Sequence, residues 1–77
     1  MIEFHYLGHG GWWGRAADGA RFTIRDRADV EGVPADERVQ VHYFAPRSMR
    51  PTALVGMRPT VDEAFKLARW YAGETEA

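Results

Sequence analysis

Three features of the sequence predict an α+β fold, an antiparallel sheet of four to five strands with one C-terminal helix packed on one face. Residues 59–73, PTVDEAFKLARWYAG, read as a capped amphipathic helix. The residues before it alternate with period two between turn signals. Asp18-Gly19 stands between two such runs and marks a tight hairpin. Strands followed by a helix give two layers, with the apolar stripe of the helix buried against one sheet face. Seventy-seven residues make a single domain, 1–77. A chain this short buries only about 60% of its unfolded surface, so its core is small.

In chain order, Ile2, Phe4 and Tyr6 alternate with Glu3, His5 and Leu7, a first strand ended by the turn Gly8-His9-Gly10-Gly11. Runs 12–17 and 20–27 flank Asp18-Gly19 as the two arms of a hairpin. Residues 38–45 (RVQVHYFA) form a fourth strand, and 53–57 (ALVGM) a short fifth that enters the helix through Pro59. Thr60 is the N-cap, with Glu63 three residues on to complete a capping box. Asp62 and Glu63 place negative charge at the positive end of the helix dipole, and Gly73 supplies the left-handed residue that ends the helix. At 100° per residue Val61, Ala64, Phe65, Leu67, Ala68, Tyr71 and Ala72 share one arc, and Phe65 is the expected anchor on the sheet. Asp62, Glu63, Lys66 and Arg69 lie opposite, with Trp70 among them.

Alternation also assigns the sheet faces. With Asp18-Gly19 as a two-residue loop, Trp13 lies opposite Ile24 and Arg15 opposite Phe22, while Trp12 faces Arg25 and Gly14 faces Thr23. Phe22, Ile24, Val39, Val41 and Tyr43 then belong under the helix. Trp12, Arg21, Thr23, Arg25, Arg27, Gln40, His42 and Phe44 form the other face. A longer loop would slip the register by one residue and exchange Trp12 with Trp13.

Composition removes several classes of function. Without cysteine there is no disulfide framework, thiol nucleophile or thiolate zinc site, which favours a cytoplasmic setting. No basic, apolar leader and no long apolar run is present, so neither targeting nor membrane spanning is expected. A net charge of −1 argues against a dedicated nucleic-acid binder and, more firmly, against an acidic mimic of DNA. Ser48 is the only serine and lies in a Pro- and Arg-rich loop without triad partners. His5 and His9 are spaced i, i+4, but Gly8 and Gly10 deny them a helix, and His42 would have to join them to hold a metal. The Gly-rich stretch 8–14 departs from the dinucleotide-binding spacing. No enzyme, cofactor or metal is expected, and the chain should be a monomer.

What remains is surface. Arg21, Arg25 and Arg27 beside Trp12 have the composition enriched at protein interfaces and nucleic-acid contacts; the alternative is a solvated face with arginine stems lying over a ring. Trp70, on the polar side of the helix, either anchors a partner or folds back on the N-terminal strand or tail. The loop 28–37 carries Asp29, Glu31, Asp36 and Glu37, whereas the loop 46–52 carries Arg47 and Arg50, a separation that can steer a partner or merely keep loops solvated.

Leu54-Val55-Gly56 followed by Thr60-Val61-Asp62-Glu63-Ala64 resembles the strand-to-helix unit, "LG, short spacer, T-x-x-E-A", of small bacteriophage accessory proteins. The stretch from Trp13 to Ile24, with Asp18-Gly19 at its turn, is similar to their first hairpin. The resemblance covers about two-thirds of the chain. The N-terminal strand and the run from Gly8 to Gly14 depart from it. It implies the anti-CRISPR inhibitor type: a non-enzymatic protein of phage or mobile-element origin, acting in the host bacterial cytoplasm. Its partner would be a host complex, a type I CRISPR surveillance complex whose binding of target DNA it blocks. The partner-binding residues would be Trp12, Arg21, Arg25, Arg27, Arg47, Arg50 and Trp70. A second reading is a sheet-face DNA-binding module similar to the plant ethylene-response type, with Trp12, Arg21, Arg25 and Arg27 entering the major groove; the acidic loop and near-neutral charge disfavour it.

Overall fold

The computed structural model describes residues 1–74. Five strands, β1 (Phe4–Gly8), β2 (Gly11–Arg15), β3 (Arg21–Asp26), β4 (Val39–Phe44) and β5 (Ala53–Arg58), precede one helix, α1 (Val61–Tyr71). The sheet order is β1-β2-β3-β4-β5 and every pairing is antiparallel, so each strand lies beside its sequence neighbour. The expected α+β class and element order both hold. A single turn of 3-10 helix, Ala35–Glu37, for which the sequence carries no periodic signal, interrupts the acidic loop.

The helix starts and stops where its end residues require. Thr60 is extended (φ −134°, ψ 157°), and its hydroxyl accepts a hydrogen bond from the Glu63 N–H at 3.2 Å. The Glu63 carboxylate returns to that hydroxyl at 3.5 Å, rather than to the Thr60 N–H of a full capping box. At the other end Gly73 has φ +79°; its N–H reaches the Trp70 carbonyl, and the Glu74 N–H reaches that of Arg69. This pair of bonds is the Schellman arrangement, and it satisfies carbonyls the helix leaves open.

The buried core is Ile2, Phe22, Ile24, Val39 and Val41 from the N-terminal segment and sheet, with Ala64, Leu67 and Ala68 from α1. Two glycines let backbones approach. A Cβ on Gly56 would lie 3.0 Å from Leu67 Cδ2, and one on Gly14 would lie 2.4 Å from Ile2 Cγ2 and 2.9 Å from the Glu3 carbonyl oxygen. Gly14 thus belongs to core packing, since its missing side chain is the space Ile2 fills. Phe65 is only half-buried. It is an anchor at the β1–β2 edge of the core, stacked on Phe4 (centroids 4.4 Å apart, planes 6°) and edge-on to Trp12 at 5.2 Å. The N-terminal segment is tied to the end of the helix. Arg69 donates from Nε and Nη2 to the Ile2 carbonyl at 3.3 and 3.1 Å, and the Ile2 N–H donates to the Glu74 carboxylate at 2.6 Å.

The β2–β3 hairpin corrects the expected register. The Ala16 N–H donates to the Ala20 carbonyl at 2.8 Å, and the Gly19 N–H to the Ala16 carbonyl at 3.0 Å. Of Asp18 and Gly19 only the glycine has positive φ (+90°), and Asp18 instead uses its carboxylate to accept from the Ala20 N–H. The loop is therefore Ala17-Asp18-Gly19, a type I turn closed by a left-handed glycine, one residue longer than the two-residue loop. Trp12 pairs with Ile24, Trp13 with Thr23, Gly14 with Phe22 and Arg15 with Arg21. Trp12 consequently packs under the helix against the core, and the open face receives Trp13 in its place.

At the other end of the sheet Asp26 holds Arg38 in a two-pronged ion pair, Oδ1 to Nε and Oδ2 to Nη2, both at 2.8 Å. The Arg38 guanidinium holds the Asp26 carboxyl below its ordinary pKa. A folded pKa below the unfolded one means the pair stabilises the protein above the unfolded carboxylate value, about 3.9, and that this contribution is lost as pH falls through the folded value. Asp26→Asn should lower the melting temperature at neutral pH, modestly because Arg38 is half exposed, and the two melting curves should converge in acid; a gap that persists at low pH would contradict the ion-pair account. Gly14→Ala should cost about 1–3 kcal/mol by forcing Ile2 out of its place, seen as a lower thermal midpoint. An unchanged midpoint would show that Ile2 does not pack as described.

Candidate functional site

The face of the sheet away from α1 is a grid of cross-strand rows. One row runs Trp13, Thr23, His42, Leu54, with His5 of β1 outside Trp13. The next holds Arg15, Arg21 and Phe44; on the other side of the first lie Gly11, Arg25, Gln40 and Met57. No acidic residue occupies a strand position in these rows; Glu3, exposed and just before β1, lies one residue beyond the Phe4–Gly14 pair, toward Arg15. Trp13, Arg21, Thr23 and Phe44 enclose a shallow cavity of about 130 Å³, and the His5 ring lies 5.4 Å from that of Trp13.

The arginines of this face differ in their freedom. The Arg21 guanidinium lies over the Phe44 ring, 5.2 Å from its centroid, and Nη2 donates to the Ser48 carbonyl. Cation–π attraction and the hydrogen bond fix its direction and tie the loop 46–52 to the sheet. Arg27 is turned inward: Nη2 donates to the Glu37 carbonyl at 2.6 Å and lies 3.5 Å from Met57 Sδ, while its buried Nε has no partner. Arg27 therefore braces the acidic loop, which corrects its expected place on a free surface. Arg25 is exposed, as anticipated. Arg15, not singled out from the sequence, shares the face through the corrected register, directly opposite Arg21.

The remaining expected residues fall elsewhere. Arg47 and Arg50 are exposed in the β4–β5 loop, where Arg47 has φ +67° and the Ser48 hydroxyl donates to the Arg50 carbonyl at 2.8 Å. Trp70 is 52% exposed on the outer side of α1, where it lines an open groove with Arg58, Glu63, Lys66 and Leu67. It lies away from the sheet face, so the seven residues do not form one site. The two charged loops leave opposite ends of β4, roughly 20 Å apart at the rise of a strand. His5 and His42 are separated by β2 and β3, and His9 sits in the β1–β2 turn at φ 53°; among the described residues no group of three potential ligands converges. No helix among the described residues is long and apolar enough to cross a membrane.

No known protein family, curated protein or solved structure matches the chain.

The tie from Arg21 to the Ser48 carbonyl has a direct consequence for the loop. Arg21→Ala should release it and speed tryptic cleavage at Arg47–Ser48 several-fold, while the Arg50–Pro51 bond stays resistant because proline follows. Equal cleavage rates in parent and variant would mean that the loop is held by its own internal bonds.

Proposed function

We propose that the protein is a non-enzymatic binding module that docks on a host protein complex through its helix-free sheet face, as an inhibitor of phage or mobile-element origin. The observation that carries this reading is the grid of Trp13, Phe44, His5 and His42 flanked by Arg15, Arg21 and Arg25, with no acidic residue at its strand positions. Trp and Arg are the residues over-represented where binding energy concentrates. The phage setting rests on the resemblance of the strand-to-helix unit and hairpin, and the type I CRISPR surveillance complex is the partner that resemblance suggests. A basic face complements an acidic protein surface. It supports steric occlusion beside the path of the target DNA rather than imitation of DNA.

The same grid keeps a second reading in view, a sheet that binds duplex DNA directly. Of the four side chains first assigned to it, Trp12 lies under the helix and Arg27 is turned inward, leaving Arg21 and Arg25 with Trp13 and Arg15. One experiment addresses both. Added in excess to a purified type I surveillance complex, the protein should lower occupancy of the target duplex, and the double variant Trp13→Ala, Arg25→Ser should lose that effect with its melting curve little changed. The protein alone should not bind random duplex at either low or moderate salt. Direct binding that weakens steeply with salt would establish the DNA-binding reading instead, and undiminished duplex occupancy would remove the surveillance complex as the target.

A further inference from the structure

We infer that the cavity between Trp13 and Phe44, with the Arg15–Arg21 pair beside it, receives an acidic segment of a protein partner: one apolar side chain in the cavity and a neighbouring carboxylate on the two guanidinium groups. This deepens the open-face reading above and rests on it. Three independent observations converge. The first is the cavity, whose walls are two aromatic rings and whose volume, about 130 Å³, suits a single branched or aromatic side chain. The second is that Arg15 and Arg21 are direct cross-strand partners. Like charges so placed repel, and the Arg15 side chain makes no hydrogen bond or ion pair among the described residues to offset this. The third is the fixed direction of Arg21, whose stacking on Phe44 and bond to Ser48 hold its guanidinium at the cavity rim before any ligand arrives.

A carboxylate bridging the pair turns the repulsion into two charge-assisted hydrogen bonds, stronger than neutral ones. The apolar neighbour selects position by filling the space between the rings. An acidic protein segment fits better than a nucleic-acid strand for a reason of spacing. A strand needs cations along a continuous track, whereas here Arg15 and Arg21 face each other at one row, Arg25 stands apart four residues along β3, and Arg27 beyond it is engaged by the Glu37 carbonyl.

The test uses a short synthetic peptide with a central leucine flanked by glutamates, its glutamine analogue, and an oligothymidine strand, each titrated into the isotope-labelled protein. The glutamate peptide should shift the resonances of Trp13, Thr23 and Phe44. The glutamine analogue, and the Arg15→Thr variant with the glutamate peptide, should each bind roughly tenfold more weakly, the loss of about one charge-assisted hydrogen bond. Without peptide, Arg15→Thr should melt at or above the parent temperature, because it removes a repulsion; a merely structural arginine would give the reverse. Equal affinity for the glutamine analogue, a lower melting point for Arg15→Thr, or tighter binding of oligothymidine would each overturn the inference. Capture of the surveillance complex that survives Arg15→Thr but not Trp13→Ala would also overturn it while leaving the open-face reading standing. Loss of that reading itself would show as intact capture in both variants.

Discussion

The conformation of one residue, Gly19, sets most of what is distinctive in this molecule. With its φ at +90° it closes a three-residue loop between Ala16 and Ala20, and the loop length fixes the β2–β3 register. That register decides which of two adjacent tryptophans is core and which is surface. Trp12 goes under the helix to meet Phe65, and Trp13 stands in the open. It also places Gly14 opposite Phe22, where the lack of a side chain admits Ile2, and sets Arg15 against Arg21. A loop one residue shorter would bury Trp13 and Arg15 and expose Trp12 and Gly14, inverting both faces of the strand.

Helix docking obeys a second constraint, shortage of material. Three residues of α1 are buried, and two of them are alanines, so α1 must lie close to the sheet to exclude water. Gly56 permits this beneath Leu67. On the β1 side a different solution applies. The half-buried stack of Phe4, Phe65 and Trp12 covers the edge, and Arg69 closes it, its guanidinium 5.3 Å from the Phe4 centroid and 5.9 Å from that of Phe65. Rings supply more area per residue than aliphatic side chains, which suits a domain with few core positions.

The fold was legible where signals are local. Thr60 and Gly73 mark the helix ends by backbone chemistry that needs no tertiary context, and the alternation in β3 and β4 assigns Phe22, Ile24, Val39, Val41 and Tyr43 to the core side. The register of β2 was not legible, because Asp18-Gly19 suits both a two-residue loop and a three-residue loop and the paired tryptophans satisfy either. Arg27 keeps the side that alternation gives it, beside Met57, but its engagement was not legible for a related reason. Alternation puts it on the open face but cannot show that the chain beyond β3 folds back to offer the Glu37 carbonyl. The roles of Gly14 and Arg15 were hidden behind the same one-residue ambiguity. The outward position of Trp70 followed from helical periodicity alone, and the structure agrees.

The clasp at the start of the chain imposes an order on folding. Ile2 is held by groups near the far end of the described chain, the Arg69 guanidinium and the Glu74 carboxylate, and its side chain fills a space in β2. The strands can pair with their neighbours as they leave the ribosome, since the meander needs only adjacent segments. The clasp cannot form until residues 69–74 have been made. Until α1 docks, the sheet therefore carries its apolar face uncovered and its first residues unfastened, so the interval before docking is when this fold is most exposed to capture by other proteins.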